Sequence, residues 1–530
     1  MILQFSTHQE RIQAAFFIGL VMMAAGLTLS PFLMSVAQFW LVGVWIADGI
    51  VRKDFRQKWD CFTHNWVAVL LVSLYLLHLL GLAYTSDFQY AFKDLRVKLP
   101  LLVFPFVLSS MQPLDKKKFD CLLGIYVLSV FVATGFSFAA YMKHDYDDIR
   151  DISRFISHIR FCLNIVFCIF ISAYYLVKRG FTWWTRFLLV VLIVWFVVQL
   201  SIFESLSGFV VLCAGVVVTL FYFLFRWNWG RKWAWLPLVA LLSLAVVGGV
   251  RFYKLFSMLT RVETVDFESL PKNTAMGNPY WHDTVYHIVE DGRYLGLYYC
   301  QLEMDQAWEQ RSALSVKGNA TNGANLEATL LRYLTSKGLR KDAEGVMALD
   351  EQDIRNIEQG IPNYNNWKHP GLQSRISSTL FEYNLYKKTN NPNGGSLSQR
   401  IEYTRASLSL IRKHFLFGVG TGDIPCAYQE AYRNLNSPLD MEYRHRAHNQ
   451  YLSIFVGFGI VGLLLFLSVL LLPYCCCKRR RVYLYSIFLC IILVSMFAED
   501  TIETQAGVSL YAFFNALFLL AYPYAVQSEK

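Results

Sequence analysis

The apolar residues of this chain are gathered into long blocks, and that gathering limits its fold more than any other feature. The blocks run for about 18 to 22 residues, the length a helix needs to cross ~30 Å of hydrocarbon. Backbone polar groups in lipid must be paired internally, so blocks of this length are helices rather than loops. Twelve spans can be marked, near residues 11–29, 31–50, 66–83, 97–111, 121–141, 161–177, 186–203, 207–225, 233–250, 449–473, 482–498 and 507–526. The fourth is short and holds Pro100 and Pro105, so a kinked or re-entrant segment is an alternative there. A length of 530 residues would by itself suggest several soluble domains, but 55% hydrophobic and 17% charged residues in this arrangement override that prior.

The net charge of +10 does not point to nucleic acid, because the cations form no single patch. They sit in short clusters between apolar blocks. Arg52, Lys53, Arg56 and Lys58 follow the second span, Lys116 to Lys118 the fourth, and Lys178, Arg179 and Arg186 the sixth. Arg226, Arg231 and Lys232 follow the eighth, and Lys478 to Arg481 the tenth. All follow even-numbered spans, so the positive-inside bias predicts that these loops and both termini are cytoplasmic. Trp183, Trp184, Trp227, Trp229, Trp233 and Trp235 stand at span ends, where interfacial aromatics belong.

The organisation that follows is a transmembrane segment over 1–250, an extracytoplasmic domain over 251–448 and a second transmembrane segment over 449–530. The middle segment is too long for a connector and should fold. Its pattern is mainly helical, as in the spacing of Leu326, Leu330, Leu331 and Leu334. Cys300 and Cys426 both fall within it and could pair in an oxidising compartment. The fold class is therefore an all-α polytopic membrane protein of about 12 helices with a large, mainly helical periplasmic domain between spans nine and ten.

Chemistry-bearing residues collect where this domain runs into the tenth span. The text there is Tyr443-Arg444-His445-Arg446-Ala447-His448-Asn449-Gln450-Tyr451. A histidine at a helix mouth can be neutral near pH 7 and accept a proton from a hydroxyl. Arg444 and Arg446 lie within one turn, and Arg400 and Arg405 lie upstream. Arginine forks suit a pyrophosphate, and fixed cations can stabilise a leaving group without a metal. The competing reading is that such residues bind lipid head groups and nothing more.

The run from Ala447 through His448-Asn449 to Gly457-Phe458-Gly459-Ile460-Val461-Gly462 resembles the histidine–asparagine motif of the O-antigen ligase and polymerase family. Leu416 to Asp423 resembles the segment that closes that family's periplasmic loop, and Arg400 matches the family's loop arginine in position. The resemblance implies a GT-C-like membrane glycosyltransferase at the bacterial inner membrane, with its active site on the periplasmic face. It implies a metal- and cofactor-independent, inverting transfer of a glycan from undecaprenyl pyrophosphate to lipid A-core, as in lipopolysaccharide biosynthesis. His448 would be the general base or would orient the acceptor, Arg400 would hold the pyrophosphate, and Asn449 would support the site. A polymerase, or a transferase of glycans to protein hydroxyls, fits the same motifs. A transporter or flippase is the alternative from another class. Charge concentrated at span ends, rather than at the bilayer midplane, weighs against it.

One departure stands out. Family members often carry an arginine after a serine following the seventh span, and here the text is Glu204-Ser205-Leu206-Ser207-Gly208. Arg160, at the start of the sixth span, is the favoured replacement cation, with Arg154 near it; membrane anchoring is the alternative role. Glu499, with Asp500 and Glu503, makes an acidic turn between spans eleven and twelve that either orients the basic site or is merely solvated. Gly418, Gly420 and Gly422 read as a turn, and Gly459 and Gly462 as sites of close helix packing.

Overall fold

The computed structural model describes residues 8–143, 149–178, 180–226, 236–369, 371–476 and 482–522. Arg179, Trp227, Trp229, Trp233, Trp235, Arg231, Lys232 and Lys478 to Arg481 lie outside the described residues. Among the described residues, eight helices are long and apolar enough to cross a membrane: Gln9–Leu29, Pro31–Arg52, Trp66–Tyr84, Lys116–Met142, His158–Val177, Trp183–Ile202, Leu206–Leu224 and Gln450–Cys476. Each coincides with a span marked in the sequence, so the chain is a helical, multi-pass membrane protein. Trp183 and Trp184 are both exposed at a helix start.

The remaining four marked segments differ from full spans or fall outside those eight. The marked span at 97–111 holds a short helix, in line with the kinked or re-entrant alternative. Its helix, Pro100–Ser110, has 11 residues, about 16 Å at 1.5 Å per residue and roughly half the hydrocarbon thickness. Pro100 opens it at a position where a missing N–H costs nothing. A separate helix, Phe88–Lys98, precedes it and is capped by the Asp87 carboxylate, which accepts from the Tyr90 N–H at 2.9 Å. The last two apolar helices, Tyr483–Ser495 and Gln505–Ala521, are also short, and the ninth marked span falls on helix Leu236–Thr260.

The chain divides into two compact units. The first comprises Met1–Leu238, Tyr403–Ser437 and Arg444–Lys530. Its core is rich in aromatic rings: Phe167 meets Phe514 at 5.0 Å and Phe488 at 5.5 Å, and Tyr126 meets Phe514 at 4.9 Å.

The second unit comprises Val239–Glu402 and Pro438–Tyr443. The stretch 403–437, read from sequence as part of the extracytoplasmic domain, therefore belongs to the unit that contains the membrane helices. The second unit is mainly helical, with one short hairpin pairing Val289–Glu290 with Arg293–Tyr294. Helix Leu326–Lys337 shows why: Asn325 caps its start, Gly338 ends it in the left-handed conformation, and Leu326, Leu330 and Leu334 line its buried face. These pack with Trp308, Val346, Ile354 and Ile357 into a separate small core. Cys300 and Cys426 are both free thiols.

Candidate active site

Helix Gln450–Cys476 is broken near its start. Gly459 has φ 64° and ψ −163°, conformations foreign to a helix. A break inside an apolar helix strands backbone groups that lipid cannot satisfy. Here the segment 415–420 satisfies them. Val419 N–H donates to Val456 O and Gly420 N–H to Gly457 O, each at 2.9 Å, and Ile460 N–H donates to Phe415 O at 2.8 Å. Gly418 and Gly420 take positive φ to follow this line. A Cβ at Gly418 would collide with the backbone of Gly457 and Phe458, and one at Gly459 with the backbone of Leu416 and Phe417. The glycines thus do more than form a turn and a packing face: they stitch two main chains together. Asp423 fixes the end of the stitch by accepting from Ser86 N–H and Asp87 N–H at 2.8 to 2.9 Å.

His448 stands immediately before this helix, half-buried, with φ 47°. A β-carbon in the left-handed region costs about 1–3 kcal/mol and persists only where the surroundings hold it. The surroundings are specific. The backbone of His448 faces the Asp500 carboxylate, and the ring lies against Tyr403, centroids 5.6 Å apart, and His445, at 6.2 Å. The Tyr432 hydroxyl, on helix Ile424–Asn434, donates to His445 O at 2.6 Å. Asn449 then caps the helix: its side-chain oxygen accepts from Leu452 N–H at 3.1 Å and its amide donates to Phe497 O at 3.1 Å. Asn449 has a structural task here that its place beside a histidine did not reveal.

Arg160 lies at the start of helix His158–Val177 with its guanidinium largely buried. It donates to Ser157 Oγ at 2.7 Å and to Asp500 O at 3.4 Å, and it faces Glu499 at 3.6 Å. One guanidinium N–H, on Nε, is buried without a hydrogen-bond acceptor. Asp500 thus accepts from Arg160 through its carbonyl, faces His448 through its carboxylate, and also accepts from Ser453 Oγ at 2.7 Å. The 203–208 turn that lacks the family arginine adjoins the same helix start. His158 Nε2 is 2.8 Å from Phe203 O, and Phe161 and Phe203 pack edge to face at 5.3 Å. Arg154, exposed, lines an open depression with Arg150, Ser157 and His158.

The acidic turn is buried rather than solvated. Glu499 and Asp500 are 7% and 5% exposed. Burial and the nearby Glu503 charge raise the Asp500 carboxyl, only partly offset by Ser453 and Arg446. Burial would also raise Glu503, but Lys98 and Arg446 outweigh it and hold that carboxyl well below the usual carboxylate range.

The other arginines part company. Arg446 pairs with Glu503 at 2.7 Å and with the Tyr90 hydroxyl. The Arg444 guanidinium lies over the Tyr432 ring at 5.9 Å. Arg405 is exposed on helix Ser396–Lys413 in the first unit, and Arg400, half-buried on that helix, belongs to the second. Sequence reasoning missed Asp94 and the part played by Lys98, which is 1% exposed and held by Asp94 at 2.5 Å and Glu503 at 2.8 Å. Their i, i+4 spacing on a helix leading into an apolar run was the available signal.

Among curated proteins, none matches the chain. Residues 363–467, a stretch that holds Arg400, the glycine stitch, His448 and the helix break at Gly459, match the family model described as O-antigen ligase. That match supports the O-antigen ligase and polymerase reading that His448-Asn449 and the glycines after it indicated.

Proposed function

We propose that this protein is a membrane glycosyltransferase that moves a glycan from undecaprenyl pyrophosphate to a lipid A-core hydroxyl, as an O-antigen ligase. The family match supports a ligase- or polymerase-type transferase in general. The observation that carries the site is the strained His448 facing Asp500, with Arg160 bonded to the same acidic turn. In this reading His448 takes the acceptor proton as the glycosyl bond forms. Arg160, with Arg154 and Arg405, holds the pyrophosphate as negative charge grows on it, the role that the motif resemblance also gives to Arg400. Arg444 and Arg446 shape the loop that carries His448, and Glu499 orients Arg160. The buried Nε of Arg160 favours it as the replacement for the missing arginine, since a phosphate oxygen would satisfy it.

In this reading the reaction runs on the periplasmic face of the bacterial inner membrane. Its test is a strain deleted for this gene, examined by lipopolysaccharide gel. Loss of core-attached polymer with accumulation of lipid-linked polymer is the expected result. Core bearing a single repeat would make the protein a polymerase instead, and normal lipopolysaccharide with under-glycosylated secreted proteins would make it a protein glycosyltransferase.

A further inference from the structure

His448 is strained, and the residues that fix its position are not those beside it in sequence. Two residues before it, Arg446 Nη1 pairs with Glu503 Oε2 at 2.7 Å. Two residues after it, Gln450 Nε2 donates to Glu503 Oε1 at 3.0 Å. Each oxygen of one carboxylate therefore holds one flank of the histidine. Gln450 is fully buried and returns the link, its Oε1 accepting from Ile502 N–H at 2.8 Å, and its own N–H donates to Met496 O at 2.9 Å. The carboxylate is itself anchored from a third element: Lys98 Nζ reaches Glu503 Oε2 at 2.8 Å and Asp94 at 2.5 Å.

We infer that Glu503 is a positioning residue of this transferase, clamping the segment 446–450 so that the His448 ring is presented to substrate from a left-handed backbone. The inference rests on the proposed role of His448. Two features argue that the clamp is more than a buried ion pair. First, a pair that only stabilised packing would need one partner, whereas Glu503 takes three, two of them on opposite sides of the one residue in the segment 444–450 with positive φ. Second, a left-handed histidine relaxes toward ordinary backbone if either flank is released, and that turns the side chain away from its present contacts with Tyr403 and His445. Because Lys98 and Arg446 bring two positive charges to one carboxylate, and only Asp94 remains for Lys98, glutamine at 503 keeps the shape but loses the grip on Arg446.

The experiment uses the full-length purified protein in detergent or nanodiscs, with a lipid-linked glycan as donor. Glu503→Gln should lower kcat about 10²-fold, the scale set by misplacing a reacting group by an ångström, while KM for the donor changes less than about threefold. Glu503→Asp should recover part of the loss. Hydrogen–deuterium exchange should show faster exchange over 445–450 in Glu503→Gln, and this readout needs no activity. Should Glu503→Gln fail to accumulate, Gln450→Met, which cuts the link to one flank and leaves both ion pairs intact, should lower kcat about tenfold with the same local gain in exchange. Unchanged kcat with unchanged exchange in either folded variant would overturn the clamp, as would a rise in KM alone. An inactive wild type would count against the transferase reading, with the exchange result still deciding the clamp.

Discussion

Both compact units bury carboxylates, but they use them differently. In the second unit each buried acid serves its own neighbourhood. Glu290 receives Arg332 at 2.7 and 2.9 Å and Asn363 at 2.9 Å. Asp353 receives Tyr333 and completes the capping box of helix Glu351–Glu358. Glu303 accepts from Thr274 and Asn278 beside it in the fold. In the first unit Glu503 and Asp500 instead converge on one strained residue, His448. Local partners offset the desolvation cost of a buried charge, whereas convergence on a strained backbone marks where the fold holds something it would otherwise release.

The largest effect should be His448→Ala, with transfer reduced about 10³-fold or more, on the order of 4 kcal/mol, at normal membrane abundance. Full activity in a glycan-transfer assay would remove the reason for the strain. Next, Gly459→Ala should cost about 3 kcal/mol, because it combines a positive φ with a collision against Leu416 and Phe417. Its readout is a drop in membrane abundance and melting temperature rather than a change in kcat per folded molecule. In the second unit, Arg332→Met should cost about 2 kcal/mol by leaving the buried Glu290 with less compensation. It should leave kcat of the folded fraction unaltered; a selective fall in kcat would erase the contrast between the units.

Asn449→Ala should cost about 1 kcal/mol through the lost cap. If it abolishes transfer without changing the melting temperature, Asn449 acts in chemistry as well. The smallest effects concern pH. Glu503 is held low in the folded state, so the stability it contributes is present above the ordinary carboxylate range and is lost only as pH falls toward its depressed folded value. Asp500 is raised, so its contribution is largest below the unfolded carboxylate value and declines as pH rises through its folded value. Melting temperatures near neutral pH should therefore fall in Glu503→Gln and hold or rise in Asp500→Asn. The reverse order would mean that the two acids have exchanged roles.

Much of this was legible in the sequence. Eight full-length spans could be marked because the bilayer imposes one length on every crossing helix, and composition records that length. His448 and Arg160 could be singled out because both are charged or titratable groups at the mouths of apolar helices. The short helix at Pro100–Ser110 was less clear, since an apolar run of that length does not say whether it crosses. The buried acidic turn was not legible at all. Nothing local distinguishes Glu499, Asp500 and Glu503 from a solvated loop; their burial depends on which cations the fold delivers to them.

The membrane class, most of the spans and the motif around His448 follow from local text, because hydropathy, length and a short motif are local properties. That the helix after His448 is broken at Gly459 and mended by residues 415–420, and that Glu503 grips both sides of the histidine, are outcomes of long-range packing. They join segments tens to hundreds of residues apart. A stranded carbonyl or a buried carboxylate specifies that a partner must exist, and the packing of the whole chain specifies which one.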